Sequence, residues 1–339
     1  MEFREILLNY KFDKNKLIDF LNLHDLNLEE DIEHSIVLEE NGKIIGTGSV
    51  AGNVLKCIAV DSNYQGYGIS NKIITKLIEY QNERGINHLF IFTKPEHSKK
   101  MEELGFSLVV NVDDKIVLLD NKISELKKFT DKILLEIENK FSDKNIKNLK
   151  ISSVVMNANP FTKGHKYLVE QACLNEDLVI VFVVRENKSR FPFNIRYECV
   201  KLGLAENKKV IVCDGGEYII SNSTFPTYFL KDKKIVNNLY SKMDATIFAK
   251  YIAKNLRIGS RYLGEEPLDI TTKNYNENLK CVLEKNDIKV NIIPRKKMGG
   301  ELISASYFRK YLDENNIEKM KEIAPESTIK ILRDNGYIE

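Results

Sequence analysis

Long apolar runs, paired cysteine motifs and an excess of either charge are all missing from this chain of 339 residues. No apolar run approaches the ~20 residues that a membrane-spanning helix needs. The N-terminus, MEFREILLNYKFDKNK, carries charges where a secretory signal would place its apolar segment, so the chain is expected in the cytoplasm, off the membrane. Five cysteines, Cys57, Cys173, Cys199, Cys213 and Cys281, are odd in number and show no C-x-x-C spacing. They lie mostly in apolar runs, which fits reduced core thiols. A net charge of +2 gives no general attraction to nucleic acid or membrane, so partners have to be argued from sites. Internal repeats and low-complexity segments are absent as well.

What is present is ordinary soluble material, 43% hydrophobic and 29% charged, in a chain long enough to expect two domains. In the first half, Ser35 to Leu38 and Ile44 to Val50 predict a hairpin around Asn41-Gly42, with Val54 to Val60 as a third strand and a small antiparallel sheet as the start of the fold. Gln65, Gly66 and Gly68 then form a tight loop before a helix whose apolar face holds Ile69, Ile73, Ile74, Leu77 and Ile78. Strands at Leu89 to Thr93, Ser107 to Val112 and Ile116 to Leu119 follow. From Lys122, apolar residues recur every three or four positions as an amphipathic helix, and the pattern fades into a polar, lysine-rich stretch ending at Lys150. The expected division is therefore 1–121, a connecting helix and linker over 122–149, and 150–339.

The second half opens on ISSVVMNANPFTKGHKYLVEQAC, residues 151–173, which reads as strand, loop and helix start. Such a helix start presents free backbone N–H groups and the positive end of the helix dipole to an anion, and polyphosphate is the natural guest. Thr162 and His165 can reach one phosphate chain, with Gly164 permitting close approach. Further strands are expected at Leu178 to Val184, Val210 to Cys213, Leu256 to Gly259 and Val290 to Ile293, alternating with helices that include Phe193 to Leu204, where Arg196 lies in the first turns. That alternation predicts a doubly wound sheet with ligands at the carboxyl ends of its strands. Near the C-terminus, GGELISASYFRKYLDENN gives a glycine-rich loop and a helix capped by Ser304. Ser304 and Ser306 can offer hydroxyls beside free amides, and Arg309 projects one turn later, although Ser-x-Ser at a helix start also serves as a plain cap.

Two family resemblances rest on these residues. VDSNYQGYGISNKII is similar to the coenzyme-A pyrophosphate loop of the GNAT acetyltransferase superfamily, with Gln65, Gly68 and Ser70 at the motif positions and Ser70 departing from the usual Gly or Ala. The resemblance implies that Gln65, Gly66, Gly68 and Ser70 bind a pantetheine-bearing nucleotide. Glu39, Glu40 and His97 are single polar residues and supply no convincing general base, so a binding module is expected there rather than a transferase. NPFTKGH together with ISASYFR resembles the paired signatures of the nucleotidylyltransferase superfamily, Ser306 standing in for the commoner threonine.

With RFPFNIRYECVKLGL, SNSTFPTYFLKD, GSRYLGEEPLDITTKNYN and LFIFTKP added, the whole chain resembles the citrate lyase ligase family. The implied fold class is α/β, a GNAT-like α+β domain followed by a doubly wound, Rossmann-like nucleotidylyltransferase domain. The implied activity joins acetate and ATP into acetyl-adenylate, with Mg2+ bridging phosphate oxygens, and passes the acetyl group to the thiol prosthetic group of the acyl carrier (gamma) subunit of citrate lyase. Thr162 and His165 are the implied catalytic pair. Asn159, Phe161, Thr162, Gly164, His165, Arg261, Ser304, Ser306 and Arg309 are implied ATP contacts. No metal ligand is identified; Glu265 and Glu266 could order the adenosine or the metal, or belong with Arg261 to a surface salt-bridge cluster. Two alternatives are carried: an acetate ligase that modifies tRNA, for which Arg295, Lys296 and Lys297 would be the basic patch, and a nucleotide sensor without turnover. Nucleic acid is not the expected partner.

Overall fold

The computed structural model describes all residues except 142–145, 186–187, 220–224, 231, 267–269, 300 and 339. Parts of the predicted linker, of SNSTFPTYFLKD and of GSRYLGEEPLDITTKNYN, together with Gly300 of the glycine-rich loop, thus lie outside the described residues. The chain forms two compact units, Met1–Glu125 with Pro226–Leu239, and Leu126–Phe225 with Tyr240–Glu339.

The first unit is built on strands β1 (Glu2–Glu5), β2 (His34–Glu40), β3 (Lys43–Ala51), β4 (Val54–Val60), β5 (Phe90–Thr93), β6 (Ser107–Val112) and β7 (Ile116–Asp120), in the order β1-β2-β3-β4-β5-β7-β6. Asn41 and Gly42 close the β2–β3 hairpin with φ of 51° and 74°, the left-handed pair that a two-residue turn requires. The sheet is mixed rather than antiparallel throughout: β4 runs parallel to β5, and they pair only at Val54–Phe90 and Leu55–Ile91. Beyond that point the two strands part. Helix Ile69–Glu83 lays Ile69, Ile73, Ile74 and Leu77 on the sheet, as its spacing predicts. Among the elements that went unread in the sequence are β1 and the helices Lys11–Leu23 and Ser98–Glu102.

The second unit holds a wholly parallel sheet of β8 (Ile151–Met156), β9 (Leu178–Val183), β10 (Val210–Asp214), β11 (Ile258–Gly264) and β12 (Lys289–Ile293), in the order β10-β9-β8-β11-β12. The doubly wound α/β reading holds. Because the order reverses at β8, the carboxyl ends of β8 and β11 border the crevice where such sheets bind ligands. All six residues of β9 are buried, as a strand covered on both faces must be. The strand expected at Leu256 to Gly259 begins later, since Leu256 is still helical and Arg257 takes a left-handed turn, φ 57°, before β11.

Helix Ser124–Lys140, read in the sequence as a connection, packs into this second unit from Leu126 onward. Its Phe129 ring lies 6.5 Å from that of Phe182 on β9, and Lys140 Nζ donates to the Val210 carbonyl. In the other direction, Pro226–Leu239 leaves the second half of the sequence to join the first unit. All five cysteines are free, and only Cys281 is exposed. Among the described residues, no helix is long and apolar enough to cross a membrane.

Candidate active site

At the end of β8 the chain turns through Asn157–Phe161 and starts the helix Lys163–Asn175 with Thr162 as N-cap. Thr162 Oγ1 accepts from the His165 backbone N–H, while His165 Nδ1 accepts from the Thr162 N–H at 3.1 Å, closing a reciprocal capping box. This contact settles the imidazole's tautomer: with Nδ1 accepting, the proton sits on Nε2. Burial, reinforced by the charge of Arg295, lowers the His165 pKa from 6.5 to about 4. At neutral pH the ring is therefore an uncharged Nε2–H donor on the cavity wall.

The loop beneath it is tied down by a buried arginine. Arg196 donates Nε to the Phe191 carbonyl and Nη1 to the Asn157 carbonyl, Asn157 Oδ1 and the Val184 carbonyl, at 2.6–3.0 Å. It fastens the ends of β8 and β9 together from behind Asn157, which lines the cavity, without lining the cavity itself. Asn159 Oδ1 takes the Phe191 N–H, leaving the Asn159 carbonyl to Arg309. Phe161 is fully buried and stacks behind the His165 ring, 5.8 Å between centroids and 17° between planes. Space for Phe161 comes from Gly203, where a Cβ would lie 2.5 Å from its ring.

The second wall is the start of helix Ala305–Asp313. Ser304 caps it by accepting from the Tyr307 N–H, and Arg309 bridges the Asn159 carbonyl at 2.6 Å and Ser306 Oγ at 3.1 Å. The two sequence signatures are thus joined through Arg309. Gly164 serves the same junction: a Cβ there would meet the Ile303 carbonyl at 3.2 Å, so glycine lets the two segments abut. A third wall follows β12, where Arg295 donates Nε to the Glu265 carbonyl and Nη2 to the Glu266 carboxylate, leaving Nη1 without a partner among the described residues. Lys296 lies 5.5 Å over the Tyr167 ring. Together the walls enclose a cavity of about 390 Å3.

Of the residues singled out in the sequence, Asn159, Thr162, Gly164, His165, Ser304, Ser306 and Arg309 line this cavity. Phe161 supports it from behind. Arg261 lies elsewhere, 2% exposed, with its guanidinium 3.6 Å from Asp244 and 4.5 Å over the Phe248 ring. Glu266 lines the cavity and pairs with Arg295, whereas the Glu265 side chain is exposed. Sequence reasoning considered Arg295 and Lys296 only as a surface patch; the signal it lacked is that β12, paired to β11, delivers them to the crevice. Gln65, Gly66, Gly68 and Ser70 line a separate cleft of about 460 Å3 in the first unit, where Gly68, φ 70°, starts helix Ile69–Glu83.

A neutral imidazole N–H, a guanidinium N–H without a partner among the described residues and an open helix start, all facing one cavity at the carboxyl end of a central parallel strand, define an α/β protein with an anion-ready crevice. The family model described as citrate lyase ligase C-terminal domain matches residues 151–332, and that of the acetyltransferase (GNAT) family matches residues 2–106. The [citrate [pro-3S]-lyase] ligase of Klebsiella pneumoniae is 36% identical over 330 residues, covering 96% of this chain and 94% of that protein. The protein of the same name from Haemophilus influenzae is 36% identical, with 99% of each chain covered. This chain belongs to the citrate lyase ligase family.

Proposed function

We propose that the protein activates acetate with ATP and delivers the acetyl group to the thiol prosthetic group of the citrate lyase acyl carrier (gamma) subunit, in the cytoplasm. The observation that supports this most is the junction of the two signatures on one cavity, with Thr162 and His165 on one side and Ser304, Ser306 and Arg309 on the other. ATP is the substrate those donors suit. In the first step an acetate oxygen forms a bond to the α-phosphorus as the bond to the β-phosphate oxygen breaks, giving acetyl-adenylate and pyrophosphate. In the second, the carrier's sulfur bonds to the acetyl carbon, AMP leaves with the electron pair, and the thiol proton passes to solvent.

Neither step needs a nucleophile from the protein, so the chain's work is positioning and charge stabilisation. His165 donates Nε2–H to a phosphate oxygen without carrying charge, the Ser304 helix start supplies amides, and Arg309 and Nη1 of Arg295 meet the growing negative charge. Mg2+ bound with the nucleotide would supply charge neutralisation there, and Glu266 is the residue of this chain that would help hold it. Among the described residues no cluster of three or more potential ligands converges, and Glu266 is the carboxylate that lines the cavity. The cleft at Gln65, Gly66, Gly68 and Ser70 would hold the carrier's coenzyme-A-like arm.

Transfer to tRNA would call for a basic outer face, yet Arg295 and Lys296 line the cavity. The test is ATP–pyrophosphate exchange that requires acetate, followed by acetylation of purified carrier. Exchange without acetate, or acetylation of tRNA in place of the carrier thiol, contradicts the proposal.

A further inference from the structure

Where β4 and β5 part in the first unit, the gap is filled from far along the chain. Tyr228 is buried there against Cys57, and its hydroxyl donates to the Phe92 carbonyl at 2.6 Å, just past the last β4–β5 pair. Phe229 packs edge-on to it, 4.8 Å between centroids. The segment is held at three further points: the Asn27 N–H donates to the Tyr228 carbonyl at 2.8 Å, and Glu29 accepts from both the N–H and the hydroxyl of Thr227 at 2.7 and 2.5 Å. Glu29 is itself fixed by Lys56, an ammonium 2% exposed that also meets Asp31 at 2.8 Å. Severing this buried pair would leave a charge uncompensated, so the anchor is stiff.

Tyr228 and Phe229 line the same cleft as Gln65, Gly66, Gly68 and Ser70. Ser70 is 7% exposed and its hydroxyl has no hydrogen-bond partner among the described residues, so a polar group is left for a guest. The exposed rim carries Lys94, His97 and Lys100. The two lysine cations at the rim, a free hydroxyl inside and aromatic rings beyond match a long arm with phosphate at one end and an uncharged, thiol-bearing tail. A second reactant has little room, because the chain's own aromatic side chains take up that part of the gap.

We propose that Thr227–Phe229 is a built-in wall of this cleft, which makes it a holding site for one pantetheine-type thiol arm and sets how far the arm enters. This rests on the proposed role of the cleft in carrier binding. The test is equilibrium dialysis of the full chain with dephospho-coenzyme A, comparing wild type with Phe229→Ala and Tyr228→Phe and checking each variant's fold by thermal melting. The wild type should bind, Phe229→Ala should weaken binding at least tenfold, Tyr228→Phe should weaken it less, and none should transfer acetyl from acetyl-coenzyme A to an amine. Equal binding by all three overturns the wall and leaves the cleft's role standing. No binding by the wild type overturns both, and acetyl transfer to an amine overturns the holding site.

Discussion

The two cavities both open at the start of a helix, and they present hydrogen-bond donors there with different materials. In the second unit the donors are side chains locked by hydrogen bonds, His165 by Thr162 and Arg309 by Asn159 and Ser306. In the first unit they are mostly backbone, presented by glycines at positive φ, with 88° at Gly66 and 70° at Gly68. Locked side chains aimed at one point suit a site that must stabilise charge as it develops, since no reorganisation is left to do during the reaction. A backbone turn suits holding. The difference supports reading the second unit as the place of chemistry and the first as the place where an arm docks.

His165→Ala should break the comparison most severely. Loss of one preorganised donor to a developing charge is worth ~100- to 1000-fold, so acetate-dependent exchange should fall by that much while circular dichroism stays native. Arg309→Ala comes next, with exchange lowered about ten- to hundredfold, the usual worth of a charge-assisted hydrogen bond. Gly164→Ala should cost less, about 1 kcal/mol, because the new Cβ meets the Ile303 carbonyl at 3.2 Å and a few tenths of an ångström of movement relieves it. In the first unit, Gly68→Ala puts a side chain at φ 70° and should raise the apparent KM for the carrier several-fold.

A further effect is a pH dependence. His165 has a folded pKa of about 4 against 6.5, so the folded state binds fewer protons between those values. Its contribution to stability is complete above pH 6.5 and is lost as pH falls toward 4. Melting temperature should drop across that window, and His165→Gln should flatten part of the drop. Exchange should show no His165 titration between about pH 6 and 8, given the low folded value.

Much of this architecture was legible where local chemistry and tertiary demand agree. Asn41-Gly42 made its hairpin, the apolar run of β9 its buried strand, and Ser304 its cap. The failures have physical causes. Strand β1, EFRE, is short and charged, and the helix Lys11–Leu23 starts at Tyr10 without any side-chain cap. Arg261, read either as a phosphate contact or as part of a salt-bridge cluster, is turned inward by strand alternation to Asp244 and Phe248, a packing that its polar stretch does not announce. Removing one partner of a buried ion pair costs ~3 kcal/mol or more, so Arg261→Met should lower the melting temperature and move the KM for ATP less than Arg309→Ala does. Arg295 and Tyr228 belong to sites assembled from distant segments, and no local pattern announces them.

The central claim is that the second unit's cavity makes acetyl-adenylate for a carrier thiol. Its most direct test is acetate-dependent AMP formation by the purified protein, with the acyl carrier subunit of citrate lyase supplied in its thiol form. The account predicts one AMP for each carrier thiol acetylated, and none when acetate or the carrier is withheld under multiple-turnover conditions. AMP formation that ignores acetate, or that proceeds while the carrier thiol stays free, would contradict it.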